Sequence, residues 1–372
     1  MHRGNPQCSG RSNNAEQILG TIDFQLLISG PSTQIGLTEP VIGIDSTIYI
    51  GSSYDSDSLR TGGFLYAISP YGETKWKLYI GENWITTTPI VDKDNFVFCC
   101  SFDGHLIKVT PDGEVFWDYD IGEIVQYGGM NIDQVGNIYL IAEDQHLYSV
   151  SKDGMLNWQI GYDGGFNSTP DAGLSFSPDG ETMYVPSSDY LGSKALYAIS
   201  KDGTLKWSFD NSGSVIGTPM VDFQGIIYVN SLSLKDSLNG FIALYPDGTI
   251  KDIYKYSSEN YPIDGSIDKM GNLYIQGDVI SNPGLETEII SLTYNFELRW
   301  KLLFEGLVLT PISLDGMNNL YFFTKSLYSI TNLGQTRWHL DQLADGFNGL
   351  AIGNGFIIFN SVNPIKIISK IH

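Results

Sequence analysis

The chain has few cysteines, few charged residues and no long apolar run, and each shortage removes a class of protein. Its 372 residues include only Cys8, Cys99 and Cys100, with no Cys-x-x-C pair, so they cannot form a disulfide framework. No segment approaches the roughly eighteen apolar residues of a transmembrane helix. Only 17% of residues are charged, and Asp and Glu outnumber Lys and Arg by 42 to 21, for a net charge of −21. Such a surface repels phosphate backbones and anionic lipid, which argues against nucleic acid and membrane insertion.

The common catalytic signatures are missing as well. The chain has no Gly-x-Ser-x-Gly elbow, no phosphate-binding loop and no His-Glu-x-x-His motif. Its five histidines are scattered, and they suggest no Ser/His/Asp arrangement. The sequence therefore favours a non-catalytic protein over an enzyme without deciding between them.

Glycine (41 residues) and tyrosine (22 residues) are abundant, and one phrase recurs along the chain. Residues 196–207 read as an alternating apolar strand, an Asp-Gly turn and a second strand that reaches Trp207. Asp-Gly between alternating runs predicts a tight β-hairpin. Clear copies end at Trp76, Trp117, Trp158 and Trp338, and two degenerate copies end at Trp300 and at Asp252, where Asp replaces Trp.

A period near forty residues with strands and turns in each unit predicts an all-β fold, a β-propeller of four-stranded antiparallel blades. The third strand of the unit, strand C, recurs eight times and predicts eight blades; its copies start at residues 65, 106, 147, 196, 241, 289, 327 and 365.

The last copy lacks an outer strand, and the N-terminal segment supplies a match for it. Residues 20–28 align with residues 72–80, and Phe24 takes the tryptophan place. We therefore expect this segment to complete the eighth blade and close the ring, because an open ring would leave an unpaired strand edge. The predicted organisation is a disordered tail over residues 1–19, in which no export signal is visible, and a single propeller over residues 20–372.

The connections of such a propeller fall on two faces. The A–B and C–D turns share one face, called here the turn face, and the B–C and D–A connections share the other, the loop face. Four B–C connections are long, at residues 52–63, 187–194, 231–240 and 277–287. Because binding residues usually lie on loops held by a rigid scaffold, we expect the functional face to be the loop face.

The repeated phrase Leu-Tyr-Ala-Ile-Ser-x-Asp-Gly-x-x-x-Trp resembles the repeat of the pyrroloquinoline-quinone (PQQ) type propellers. Thr-Pro opens the inner strand at Thr88, Thr169, Thr218 and Thr310, as in that repeat. The resemblance spans residues 20–372. It implies a superfamily that holds quinoprotein dehydrogenases as well as non-enzymatic members, such as the lipoprotein of the outer-membrane β-barrel assembly machine. In size the chain is similar to these compact members, because the long insertions of the dehydrogenases are absent.

The resemblance directs attention to the residue before each inner strand, at the mouth of the central channel. Threonine dominates these positions, so Glu39, Asp264 and Asn348 stand out. Their oxygens are ligands that Ca²⁺ accepts, and the dehydrogenases hold Ca²⁺ and PQQ with a Glu, an Asn and an Asp. Hydrogen bonds to channel water and backbone amides are the alternative interpretation.

Two further sets of residues are candidates. Some quinoprotein dehydrogenases cover their cofactor with a disulfide between adjacent cysteines, so Cys99 and Cys100 are a candidate vicinal disulfide, with simple packing as the alternative. Aromatic and amide side chains in the D–A connections suit a sugar or a peptide, with packing between blades as the alternative; they are Trp84, Gln126, Tyr127, Phe166, Asn167, Tyr261 and Phe347. His105 and His146 precede strand C in adjacent blades and could meet at a metal only if both side chains leaned together.

The sequence thus predicts a non-catalytic propeller that binds a protein, peptide or glycan through its loop face, with no cofactor, in the cell envelope or outside the cell. The alternative is an oxidoreductase that depends on PQQ and Ca²⁺.

Overall fold

A computed structural model of the chain describes residue 18 and residues 22–27, 38–55, 60–125, 129–162, 165–166, 173–187, 194–210, 213–233, 240–255, 260–280, 285–307, 310–341, 347–361 and 367–371. These residues form strands, turns and isolated bridges. Within these ranges, no helix is long and apolar enough to cross a membrane.

The strands form eight antiparallel sheets of four strands each, which confirms the predicted blade count. In chain order the strands of blades one to four are β2 (Val41–Ile42), β3 (Ile48–Asp55), β4 (Arg60–Ile68), β5 (Thr74–Gly81); β6 (Ile90–Val91), β7 (Val97–Cys100), β8 (His105–Val109), β9 (Val115–Asp120); β10 (Asn131–Ile132), β11 (Ile138–Ile141), β12 (Leu147–Val150), β13 (Leu156–Ile160); and β14 (Ser175–Phe176), β15 (Thr182–Pro186), β16 (Lys194–Ser200), β17 (Leu205–Asp210). Those of blades five to eight are β18 (Gly213–Val221), β19 (Ile227–Ser233), β20 (Gly240–Leu244), β21 (Ile250–Lys255); β22 (Asn260–Ile267), β23 (Leu273–Ile280), β24 (Leu285–Leu292), β25 (Leu298–Glu305); β26 (Ser313–Leu314), β27 (Leu320–Phe323), β28 (Leu327–Ile330), β29 (Thr336–Leu340); and β30 (Phe347–Ile352), β31 (Ile357–Ser361), β32 (Ile367–Ile371) with β1 (Ile22–Leu27).

The eighth blade is completed by the N-terminal strand, as the alignment of residues 20–28 predicted. β1 lies outermost in that sheet and runs antiparallel to β32, with Phe24 opposite Lys370 and Leu27 opposite Ile367. Strands from the two ends of the chain therefore hydrogen-bond to each other, and β32 has a partner on both sides.

The core is divided among the seams between neighbouring blades. The described residues form eight apolar clusters, and each cluster combines side chains from two adjacent blades. One cluster joins Phe356 and Ile358 of blade eight to Ile48 and Ile50 of blade one, so the ring closes through packing there as well. Strands B and C contribute to both seams of their blade because successive side chains point to opposite faces of a sheet.

Six of the seven tryptophans hold these seams together. Each indole Nε1 donates a hydrogen bond of 2.7–3.1 Å to a backbone carbonyl; the donor and acceptor pairs are Trp76 and Pro111, Trp117 and Lys152, Trp158 and Lys201, Trp207 and Pro246, Trp300 and Asn332, and Trp338 and Ile18. In the first five pairs the acceptor lies in the C–D turn of the next blade. The repeat tryptophans therefore pack between neighbouring blades.

The glycine of the Asp-Gly turn is required at these seams for two reasons, its backbone conformation and the space beside it. Gly113 has a φ of +88°, and a β-carbon added to it would lie 2.6 Å from the Trp76 ring. Only glycine adopts the left-handed backbone without strain and also leaves room for the indole. The same contact recurs at Gly154, Gly203, Gly248 and Gly334 with the tryptophan of the preceding blade.

The seam between blades five and six keeps the same contacts with different residues. Asp252 occupies the tryptophan place, and Lys251 Nζ donates instead to the turn carbonyl of Tyr294 at 2.6 Å. Phe296 stands where the other turns have glycine, with a φ of +60°, and its ring lies 6.2 Å from that of Tyr228. The equivalent strand B aromatics of other blades face a tryptophan at about the same distance, as Tyr274 faces Trp300 at 5.9 Å. A large residue in the turn thus replaces the large residue lost from the strand.

The loop face is partly more regular than expected. β3 and β4 extend into the predicted 52–63 loop, and β23 and β24 extend to residues 280 and 285 of the predicted 277–287 loop. Those two predicted boundaries, and the start of the predicted 231–240 loop, which β19 enters as far as Ser233, were wrong because paired strands satisfy the backbone of residues such as Ser52 and Gly277. Residues 56–59, 188–193, 234–239 and 281–284 lie outside the described residues.

Candidate binding surface

The best described part of the loop face is a chain of hydrogen-bonded connections over blades one to three. Phe102, in the B–C turn of blade two, donates its N–H to the Trp84 carbonyl at 2.8 Å. The Phe102 carbonyl in turn accepts the N–H of Val125 in the next D–A connection at 3.2 Å. Thr86 Oγ1 donates to the Val125 carbonyl at 2.6 Å, and Glu143 N–H reaches the Ile124 carbonyl at 2.9 Å. These bonds tie consecutive connections into one fixed surface.

Two apolar side chains project from this surface. Trp84 is 48% exposed and Ile124 is 39% exposed, although the backbone carbonyl of each accepts one of the hydrogen bonds above. An exposed indole on an immobilised loop offers apolar area at little cost in conformational entropy. This pair, linked through Phe102, is the candidate binding surface.

Carboxylates surround the pair. Asp103 accepts hydrogen bonds from Asn83 Nδ2 at 2.8 Å and from Ser101 Oγ at 2.6 Å. Partial burial opposes ionisation of Asp103, but the bonds from Ser101 and Asn83 outweigh it and lower the pKa of the carboxyl. Glu82 and Glu123, beside Trp84 and Ile124 in sequence, are exposed. The segments that carry Trp84 and Ile124 thus also carry or contact three carboxylates.

His105, two residues after Asp103, is paired with an acid rather than with His146. His105 Nδ1 lies 2.8 Å from Asp118 Oδ1, and this hydrogen bond raises the pKa of His105 against the opposing effect of partial burial. His146 Nδ1 lies 3.0 Å from the Asp144 carboxylate. Each histidine is thus paired with an acid of its own blade. The geometry gives no support to a metal ion bound jointly by His105 and His146.

Of the predicted aromatic and amide residues, Trp84 is the one that the structure shows exposed. Phe166 is fully buried, edge-on to Tyr162 and Tyr197, so its assignment to a ligand surface was wrong: its ring fills the seam between blades three and four. Tyr261 and Phe347 lie in β22 and β30, where only the backbone is described. Gln126, Tyr127 and Asn167 lie outside the described residues.

Ile124 and its carboxylate neighbours were missed by the sequence reasoning. A signal was present, because Gly-Glu opens both D–A connections, at Gly81-Glu82 and at Gly122-Glu123, and an apolar residue follows each within two positions. Aromatic and amide character pointed to Trp84 in the first connection and to Gln126 and Tyr127 in the second, and not to the aliphatic Ile124.

The proposed calcium ligands are described only in part. The side chain of Glu39 lies at the seam of blades one and eight, where a β-carbon on Gly349 would lie 2.5 Å from its Cγ. Asp264 and Asn348 lie in β22 and β30, and their side chains are outside the description. Among the described residues, no three His, Cys, Asp or Glu side chains are grouped to hold a metal ion. We therefore derive no PQQ or Ca²⁺ chemistry, and that alternative stays a prediction.

The adjacent cysteines are free thiols in the structure, which differs from the vicinal disulfide that the resemblance implied. Both lie in β7, so their side chains point to opposite faces of blade two, with Cys99 in the seam to blade one and Cys100 in the seam to blade three. Burial raises the pKa of Cys99 to about 12, and burial also raises that of Cys100. Both sulfurs therefore belong to the core.

No protein-family model and no curated protein matches the chain. Solved structures do match it in fold. BamB from Moraxella catarrhalis is 14% identical with a TM-score of 0.65, over 94% of this chain and 97% of that one. A europium-containing methanol dehydrogenase is 11% identical with a TM-score of 0.69, over 97% and 89%. The Dos1 propeller is 9% identical with a TM-score of 0.67, over 94% and 95%. At these identities the likeness concerns the fold alone, and it shows that the chain has the PQQ-like β-propeller fold that its repeats predicted.

Proposed function

We propose that the chain is a non-catalytic propeller that binds a protein, peptide or glycan through its loop face, and that a protein segment is the partner. The observation that carries the proposal is the half-exposed Trp84, fixed by the hydrogen bond from Phe102 and joined through that residue to the connection that presents Ile124. Aromatic residues on rigid supports are the usual anchors of protein interfaces.

The negative charge near Trp84 narrows the chemistry expected of the partner. Glu82 and Glu123 shortly precede Trp84 and Ile124 in the chain, Asp103 accepts a hydrogen bond from Asn83 next to Trp84, and the whole chain carries −21. A segment with an aliphatic or aromatic residue beside Lys or Arg would bury apolar area on Trp84 and place its cation near these carboxylates. A place in the cell envelope or outside the cell belongs to the same proposal and is checked by fractionation of the native cells.

The test is site-specific photo-crosslinking in the native cell. A photoreactive phenylalanine replaces Trp84 in one variant and Leu303 in the control variant, since Leu303 is equally apolar and 53% exposed but lies on the outer strand β25. We expect a discrete protein adduct from position 84 and none from position 303.

A companion variant, Trp84→Ala, separates binding from folding. Because the indole is half-exposed, its removal should change the free energy of unfolding by only about 1 kcal/mol while the interaction is lost. Equal crosslinking at both positions, or none at position 84, would contradict the proposal.

A further inference from the structure

Half of the large apolar side chains that are exposed among the described residues lie on the face opposite to the candidate binding surface, and seven more lie on outer strands. On the loop face they are Trp84, Ile124 and Leu307. On the turn face, ten large apolar side chains are exposed in the A–B and C–D turns themselves: Ile44, Tyr71, Val135, Met155, Phe223, Tyr245, Met270, Tyr294, Met317 and Leu333.

Six of these residues lie in the turns of three consecutive blades. Blades five, six and seven each contribute one residue from the A–B turn and one from the C–D turn, and these side chains are 44–69% exposed. We call this set the apolar turn patch; its members are Phe223, Tyr245, Met270, Tyr294, Met317 and Leu333.

The turns that carry the patch touch one another. A β-carbon on Gly225 would lie 3.4 Å from Pro246, and one on Gly271 would lie 3.3 Å from Tyr294, so the two turns within blades five and six are in contact. Between blades six and seven, Lys269 Nζ donates to the Gly316 carbonyl at 3.2 Å. The turns that carry the patch therefore adjoin one another within blades five and six and between blades six and seven.

The fold does not require apolar residues at these positions. The same turns in blades two and four are built with the same left-handed residue, at Asn95 and Gly180, but present charged side chains such as Lys93, Asp94 and Asp179. In the C–D turns, Asp112 and Asp202 of those blades occupy the place of Leu333 in blade seven, while blade five keeps Asp247 there. Because the exposed parts of the patch side chains face solvent and lower solubility, they indicate a surface that is covered when the protein works.

The chemistry of the patch and the charge of the chain define what covers it. Met270 and Met317 are flexible and polarizable side chains that adapt to an irregular apolar partner. The cations at the patch are already engaged, since Lys251 and Lys269 donate to the carbonyls of Tyr294 and Gly316. Two copies of the chain, each with a charge of −21, repel each other, whereas a basic partner is attracted.

From these observations we propose that the apolar turn patch docks an apolar, basic segment of a partner protein. This site is independent of the loop face, so one propeller can hold two partners on opposite faces.

The test measures binding of a synthetic amphipathic helix made of leucine and lysine, with a leucine and glutamate helix of the same pattern as the charge control. The patch variant carries Phe223→Ser, Met270→Ser and Met317→Ser. The matched control carries Val135→Ser and Met155→Ser in blade three, which removes two exposed apolar turn residues outside the patch. Calorimetry gives the Kd, and a thermal melt shows whether each variant is folded.

Binding is measured in the Trp84→Ala background, so that the loop-face surface does not contribute. In that background we expect the lysine helix to bind the protein and its blade-three control equally, and the folded patch variant about tenfold or more weakly. Its affinity should also fall as salt is added. Equal binding by the patch variant, or equal binding of the glutamate helix, would overturn the proposal. Sedimentation that shows the parent, but not the patch variant, to dimerise would assign the patch to a second copy and overturn it as well.

Discussion

The indole of each repeat tryptophan makes two kinds of contact, and both explain why the repeat ends on this residue. The ring packs against a strand B aromatic of its own blade, as Trp76 does against Tyr49 at 5.8 Å, while Nε1 donates to the turn of the next blade. A phenylalanine would keep the first contact and lose the second, which leaves a carbonyl without its partner.

His105 supplies a prediction at the same scale. Its hydrogen bond to Asp118 raises its pKa in the folded protein, so this pair stabilises the fold fully below the ordinary histidine pKa of about 6.5 and loses that contribution as the pH rises through the higher folded value. NMR titration of the ring protons should give a folded pKa above the ordinary value. Asp118→Asn should bring it down, and an identical titration curve in both proteins would contradict the assignment.

At the scale of the element, the blade is a unit whose seams tolerate exchange of residues if the total volume is kept. The seam of blades five and six has Asp252 and Phe296 where the seam of blades six and seven has Trp300 and Gly334. One strand residue and one turn residue thus fill a single space between the blades. This agrees with the tolerance of cores for substitutions that conserve the total volume.

This exchange predicts a coupling between the two positions. Asp252→Trp alone should overpack the seam, Phe296→Gly alone should leave a cavity beside Tyr228, and the double variant should restore the arrangement of the other seams. Denaturant unfolding of the four proteins should show a favourable coupling of about 0.5–3 kcal/mol. Asp252→Trp combined with Gly334→Ala, in a different seam, is the control and should be additive.

At the scale of the whole molecule, closure depends on the N-terminal segment in two ways. β1 pairs with β32, and the Ile18 carbonyl accepts Trp338 Nε1 at 2.9 Å and Arg337 Nη2 at 3.1 Å. The Asn332 carbonyl accepts the same two groups, from Trp300 and Arg299, in the preceding seam. The Ile18 carbonyl therefore accepts at the seam of blades seven and eight the two hydrogen bonds that the C–D turn carbonyl of Asn332 accepts at the seam of blades six and seven.

Deletion of residues 18–27 tests this closure. The deletion removes the outer strand of blade eight and the acceptor of two hydrogen bonds, and it uncovers the cluster that contains Ile18. We expect the melting temperature to fall by about 10 °C or more, with loss of a single cooperative transition. Removal of residues 1–17 alone is the control and should leave the melt unchanged. A truncated protein as heat-resistant as the parent would refute closure by this segment.

The fold could be predicted from the sequence because its signals are local and repeated. Asp-Gly turns, alternating strands and tryptophans at a period near forty specify hairpins and their number without reference to the rest of the chain. The match of residues 20–28 to residues 72–80 predicted which ends meet for the same reason.

The site could be predicted only in part, because exposure depends on a neighbouring blade that no single repeat encodes. Phe166 and Trp84 occupy comparable D–A connections, yet Tyr162 and Tyr197 enclose the first while the second remains half in solvent. Likewise, the alternation of β7 sends Cys99 and Cys100 into different seams. The sequence by itself determined the blades, their number and their closure. Only the tertiary structure decided which of the described aromatics are core and which remain exposed, because burial results from packing between blades.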